Sequence, residues 1–269
     1  MAEPGVSMTA AGPASHVDLV PLLAQLEEER ALSENIRTKA KDIEAVQRQL
    51  QAGLNRVHST PAEQVPQLVF SLSPLFTQLR SQIHSVAALV PANQFYKWND
   101  CWSFSLQRSS YCACLAYWLT TGRLITKEQA AQLLGLDAQS SPENVGRMEL
   151  TTEEYLHSLI SMINDFSRLA VNAVTMADFA TPLRLSEFVK ELHAGFGVLN
   201  LKNDSLRKRF DSIKYDVKRV EEIVYDVSLR GLLKDRSPEW DQRGLGVIVD
   251  EERRAQVWAA LCGTGKDER

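Results

Sequence analysis

Residues 206–227 read LRKRFDSIKYDVKRVEEIVYDV, and their apolar side chains recur at alternating intervals of four and three residues. Three consecutive heptads in this register predict one long helix with an apolar seam that packs against another helix, as in a coiled coil. The seam can be covered inside its own subunit or by a second copy of the chain. The residues that we predict for oligomerisation are Leu206, Phe210, Ile213, Val217, Val220, Val224 and Val227.

A second and longer seam lies near the N-terminus. The pattern predicts a helix from Asp18 to about Val57, whose inward positions keep the same alternation when Glu29, Ser33 and Gln47 are counted among them. One subunit of 269 residues has difficulty burying two such seams along their full length. The two seams together therefore favour self-association.

The rest of the chain also has helical periodicity and almost no strand pattern. Pro and Gly residues divide it into five further helices, so we predict an all-α protein, a seven-helix bundle with long antiparallel helices. We expect a disordered N-terminal lead at 1–17, the helical domain at 18–233 and a flexible C-terminal tail at 234–269. The longest apolar run, 111–119, is about half of the ~20 residues that a membrane span needs, so we expect no membrane partner.

The formal net charge is −4, so any binding to nucleic acid requires local segregation of Lys and Arg. Residues 202–219 contain seven Lys and Arg against three Asp, a local charge of +4. Cations that form a stripe parallel to an apolar seam, on another side of the helix, can bind successive phosphates of a nucleic acid. A charged helix face is, however, more often simply solvated. The candidate contacts to nucleic acid are Arg207, Lys208, Arg209, Lys214 and Lys218 on the last long helix, and Arg37 and Lys41 on the first.

An aromatic segment at 95–102, FYKWNDCW, adds a second ingredient, because aromatic rings beside a cation can stack on unpaired bases. Phe95, Trp98 and Trp102 lie on the apolar seam of a predicted helix, so we expect these three side chains to be buried in the core. Tyr96 and Lys97 point elsewhere and are candidate contacts to nucleic acid. The four cysteines lack the CxxC spacing of zinc sites, so we expect reduced thiols and no bound metal.

These stretches resemble one family. The run LNLKNDSLRKRFD at 199–211, with its continuation to Asp226, is similar to the C-terminal signature of the translin family, and SRLAVNAV at 167–174 resembles the family's SRLSVNSV stretch. EYL at 154–156 resembles its DYL, and the similarity covers about residues 18–233. Vertebrate members carry RFHEHWR where this chain has KWNDCWS at 97–103, whereas the fungal members, with YKYN before a Trp, are closer there.

The resemblance implies a hollow octamer that binds single-stranded DNA and RNA within its shell. It also implies a paralogous partner of the Trax type, with which translin forms a Mg²⁺-dependent endoribonuclease that removes passenger strands in RNA silencing and processes tRNA precursors. We therefore expect a cytoplasmic and also nuclear protein. It would need no cofactor of its own, since the Mg²⁺ would be held by the partner subunit.

Catalytic residues are not expected in this chain. Hydrolysis assisted by Mg²⁺ needs clustered carboxylates, and Trax-type subunits supply a Glu-x-x-Glu pair and an Asp. At the matching positions this chain has Arg108, Tyr111 and Asp178, and Arg108 is a further candidate contact to phosphate. Two alternatives stay open: an endoribonuclease active as a homo-oligomer that uses Asp178 with Glu153 or Glu154, and a coiled-coil adaptor that binds no nucleic acid.

Overall fold

The computed structural model describes residues 19–137, 146–202, 204–232 and 244–263. Within these ranges the secondary structure is helical and no β-strand occurs, which confirms the all-α class. Three short 3₁₀ turns lie between the longer helices. The α-helices are α1 Val20–Asn55, α2 Val65–Ser71, α3 Ser73–Leu89, α4 Phe95–Trp98, α5 Ser103–Thr121, α6 Lys127–Leu133, α7 Thr152–Thr175, α8 Ala180–Val198, α9 Ser205–Leu229 and α10 Glu251–Cys262.

Local signals set several helix ends. α7 begins with a capping box, in which the Thr151 hydroxyl accepts from the Glu154 amide and the Glu154 carboxylate accepts from the Thr151 amide. The Asp204 carboxylate accepts from the amides of Leu206 and Arg207 at the start of α9. α5 ends at Gly122, whose φ of 66° suits a residue without a side chain. The chain is broken just before Pro74 into α2 and α3, which is one reason why the described residues contain more than the seven helices predicted.

α5 is the centre of the bundle. It packs against α1 on one side and α7 on the other, while α3 lies on α1 and both α8 and α9 lie on α7. Fifteen of its nineteen residues are buried. Small side chains permit the close approach to α7, since the Ser110 hydroxyl donates to the Ser158 hydroxyl across this contact at 3.2 Å.

The seam of α9 is covered from inside its own subunit. Its exposed fraction is 5% at Leu206, 0% at Ile213, 1% at Val220 and 2% at Val227, because α7 and α8 pack along this side. Phe210, Val217 and Val224, the alternate positions, are half-buried. The four buried side chains therefore have no surface left for a second copy, and the argument that assigned them to oligomerisation does not hold for them.

The N-terminal end of α1 is the part of the two seams that the described residues leave uncovered. Seam residues Leu22 and Leu26 are 52% and 48% exposed, whereas Ile36 and the later seam positions are buried. Leu19, Val20 and Leu23 add to the same exposed apolar surface. No helix among the described residues is long and apolar enough to cross a membrane.

The structure corrects the prediction of a flexible tail for the part that it describes, residues 244–263. There Leu245, Val257 and Leu261 are buried, and α10 packs on α3 and α5. The Arg80 guanidinium donates to the carbonyl oxygens of Leu261 and Cys262 at 3.2 and 2.9 Å. The predicted lead at 1–17 and the remainder of the predicted tail lie outside the described residues.

Candidate nucleic-acid interface

The exposed side of α9 carries cations in three different situations. The Arg207 guanidinium lies 3.2 Å from the Asp211 carboxylate, and the Lys218 ammonium lies 3.7 Å from Glu222. Lys208 and Lys214 are exposed and have no carboxylate within ion-pair distance among the described residues. Among the five α9 cations predicted from the sequence, these two lysines are therefore the most available to an external anion.

Arg209, which sequence reasoning placed with these cations, instead joins α9 to α7. Its guanidinium donates to His157 Nδ1 at 3.1 Å and to the Ser161 hydroxyl at 2.9 Å. Burial lowers the pKa of Arg209, and burial followed by the Arg209 charge lowers the pKa of His157. His157 is thus held in its neutral form as a hydrogen-bond acceptor. The pair makes an interhelical contact rather than a free cation.

α1 exposes two cations in positions predicted from the sequence. Arg37 and Lys41 lie one turn apart, are exposed, and have no ion-pair partner among the described residues. Their neighbours differ, because Lys39 pairs with Asp42 at 3.1 Å and Arg48 with Glu44 at 3.7 Å. The solvated-face alternative therefore describes those neighbours better than it describes Arg37 and Lys41.

The aromatic segment divides as the sequence indicated. Phe95, Trp98 and Trp102 are 5%, 5% and 1% exposed, which confirms their place in the core. Tyr96 is 91% exposed, so its ring is free to stack on a base. Lys97 is less available, since its ammonium lies 2.6 Å from the Glu29 carboxylate and its hydrogen bond lowers the pKa of Glu29.

Arg108 is held by a series of side-chain hydrogen bonds that the sequence analysis did not predict. Its guanidinium donates to Gln51 Oε1, which also accepts from the Gln47 amide at 3.0 Å, and it lies 5.6 Å from the Phe104 ring. Gln47 is 2% exposed. The signal was available in the sequence, because a glutamine at an inward position of the α1 seam indicates a polar partner on the facing helix.

The carboxylates that the nuclease alternative invoked have structural partners. Asp178 accepts from the Ala180 and Thr181 amides and from the Thr181 hydroxyl, so it caps α8. Glu154 is 4% exposed within its capping box, and its burial raises its pKa. Tyr111 donates to Asp165 on α7. Among the described residues no group of His, Cys, Asp and Glu side chains is suited to hold a metal ion.

These observations first define a class, namely an all-helical bundle whose two longest helices, among those the structure describes, expose cations that no described carboxylate pairs. The chain belongs to the translin family, whose model matches residues 31–231. It is 37% identical to Translin of Mus musculus and 38% identical to Translin of Gallus gallus. Each alignment covers 217 residues, 80% of this chain and 93% of the relative.

Two more distant similarities agree with this family. Translin-associated protein X of Mus musculus is 22% identical over 193 residues, which is 66% of each chain. Among solved structures, the crystal structure of apo-NeC3PO has a TM-score of 0.52 at 12% identity and covers 79% of this chain and 98% of that one. At this identity the likeness concerns the fold alone.

Proposed function

We propose that this chain is a self-associating subunit that binds single-stranded RNA and DNA and has no catalytic residues of its own. The observation that carries the proposal is a set of exposed cations that have no ion-pair partner among the described residues: Arg37 and Lys41 on α1, and Lys208 and Lys214 on α9. The similarity to translins at 37% and 38% identity agrees with a role in binding nucleic acid. Tyr96, 91% exposed, is the candidate stacking residue.

Self-association is supported by the apolar surface at the start of α1. A row of exposed leucines on a helix is unfavourable in water, and a second subunit is one way to cover it. Similarity to Translin-associated protein X indicates a paralogue of this type as a further partner. We propose that such a partner supplies the carboxylates and Mg²⁺ of an endoribonuclease that acts on passenger strands and tRNA precursors, in the cytoplasm and also in the nucleus.

The test is the salt dependence of binding to a fluorescent single-stranded oligonucleotide. Each phosphate neutralised on a single strand adds about 0.7 to the slope of log affinity against log salt concentration. We expect the double variant Arg37→Gln, Lys41→Gln to lower the affinity and to reduce this slope by about 1.4. Lys39→Gln is the matched control, because Lys39 is also exposed on α1 but is paired with Asp42.

An unchanged slope in the double variant would show that these side chains do not contact phosphate. The catalytic part of the proposal is tested separately with the purified chain, single-stranded RNA and Mg²⁺. Cleavage that persists after affinity removal of any Trax-type contaminant would contradict the assignment of a non-catalytic subunit. In that event Asp178→Asn would be the first variant to examine.

A further inference from the structure

The side of α9 that faces away from its own subunit carries a second heptad pattern. At 100° per residue its members lie within about 80° of one another and opposite the buried Val220. Tyr215, Tyr225 and Leu229 on this side are 67%, 65% and 71% exposed. The pattern, which we call the outer stripe, consists of Asp211, Tyr215, Lys218, Glu222, Tyr225 and Leu229, with spacings of 4, 3, 4, 3 and 4.

The outer stripe of one helix is nearly complementary to the same stripe of a second copy that runs in the opposite direction. Lys218 and Glu222 carry opposite charges two residues on either side of the level of Val220, and Asp211, at the far end of the stripe, would face Leu229 of the second copy. Tyr215 and Tyr225 lie five residues on either side of the same level. In an antiparallel pair of helices with a two-fold axis at this level, Lys218 would face Glu222 of the second copy, and Tyr215 would face Tyr225 of the second copy.

A parallel pair would instead place lysine against lysine and glutamate against glutamate, so the charge order selects the antiparallel arrangement. Arg219 and Asp226 lie together on one flank of the stripe. Beside them an open cleft of about 520 Å³ between α7 and α9 is lined by residues that include Val171 and Tyr215. This cleft leaves room for side chains of a second helix at the edge of the contact.

We propose that the outer stripe is an isologous contact between two copies of this chain, with paired α9 helices antiparallel about the level of Val220. The proposal rests on the self-association stated above and assigns one surface to it. Inside one subunit Lys218 and Glu222 are 74% and 65% exposed and lie 3.7 Å apart. A second copy provides each of them with an oppositely charged neighbour between two tyrosine pairs, which shields the ions from water.

The test is a charge exchange in the full chain, with the mass of the assembly measured by light scattering and the fold checked by circular dichroism. Lys218→Glu places two acidic side chains opposite each other, and Glu222→Lys places two basic ones. We expect each single variant to yield particles of lower mass at the same protein concentration. The double variant Lys218→Glu, Glu222→Lys restores opposite charges and should recover the wild-type mass.

Lys39→Glu on α1 is the control for a change of charge outside the stripe, and it should leave the mass unchanged. Single variants that assemble like the wild type, or a double variant that stays dissociated, would overturn the proposal. A loss of oligonucleotide affinity in Lys218→Glu without any change in mass would also overturn it, because the stripe would then be a nucleic-acid surface. Oligonucleotide binding by the lower-mass particles reports separately on the proposed function.

A cross-linking measurement covers the case in which a charge variant misfolds. Tyr215→Cys, Tyr225→Cys treated with a short bismaleimide should yield covalent dimers on a denaturing gel. Within one helix these positions are about 15 Å apart at 1.5 Å per residue, so a short reagent does not join them in one chain. Each single cysteine variant controls for the native thiols, and dimers no more abundant in the double than in the single variants would contradict the antiparallel register.

Discussion

Gly122 ends α5 in the left-handed conformation, and the backbone of the C-terminal tail passes directly over it. A β-carbon at this position would lie 2.4 Å from the Gly246 carbonyl oxygen and 2.7 Å from the Val247 carbonyl carbon. Both neighbours are backbone atoms, which cannot rotate away as the end of a side chain can. Gly122→Ala must therefore strain α5, displace the tail, or do both.

The magnitude follows from two contributions. An L-residue in the left-handed region costs about 1–2 kcal/mol. Displacement of the tail near Gly246 also exposes part of its buried surface, and a leucine such as Leu245, 4% exposed here, contributes about 1.5–3 kcal/mol by burial. We expect Gly122→Ala to lower the free energy of unfolding by about 2.5–5 kcal/mol.

Gly135→Ala is the matched comparison. Its φ of 72° is also left-handed, but a β-carbon there would lie 3.4 Å from the nearest atom, on the Arg80 side chain, which is an ordinary contact. This variant should lose only the backbone contribution, about 1–2 kcal/mol. Urea unfolding gives both values, and hydrogen exchange of α10 amides reports whether the tail is released. If the two variants lose equal stability and α10 stays protected in Gly122→Ala, the tail does not lie over Gly122.

Two further predictions concern α9 and its contact with α7. Ile213→Ala should lower the free energy of unfolding by about 2–5 kcal/mol without changing the mass of the assembly, because Ile213 is fully buried inside its own subunit; a change in mass by light scattering would contradict this. Since the pKa of His157 lies below its usual 6.5, the unfolded chain binds more protons as the pH falls through 6.5, so stability should be complete above that pH and decline below it. His157→Gln should flatten this decline in urea unfolding between pH 7 and pH 5.5, and an equally steep decline in the variant would show that other groups cause it.

The helices themselves were readable from the sequence because caps and periodicity are local. The acidic start of α7, the stop at Gly122 and the break before Pro74 each depend on residues within a few positions of the helix end. Periodicity also identified the buried side of α9 correctly. It did not identify which helix covers that side, because an apolar stripe predicts burial but not the element against which it packs. Here α7 and α8 of the same subunit provide the cover.

The docking of the tail depends on contacts that are distant in sequence. The sequence between Glu251 and Leu261 indicates a short amphipathic helix but contains no information about its receptor. That receptor includes Arg80, which reaches the last carbonyls of α10 from more than 180 residues away. Whether a cation is free to bind an external anion also depends on contacts that are distant in sequence. Lys208 and Arg209 are adjacent in the chain, yet of these two only Arg209 points towards α7, where it forms hydrogen bonds with His157 and Ser161.

Asp178 shows how one carboxylate can suggest a catalytic function and serve a structural one. It accepts the first amides of α8 and also the Thr181 hydroxyl proton, which fixes the orientation of that hydroxyl. The Thr181 oxygen in turn accepts from the Leu245 amide at 2.6 Å, so the same carboxylate caps α8 and positions the tail. A Mg²⁺ ion at Asp178 would have to displace these donors from the oxygens that it needs as ligands. The backbone around Gly244 also covers this carboxylate, since a β-carbon there would lie 2.8 Å from its Oδ1. Asp178 is therefore committed to holding the fold of its own subunit together.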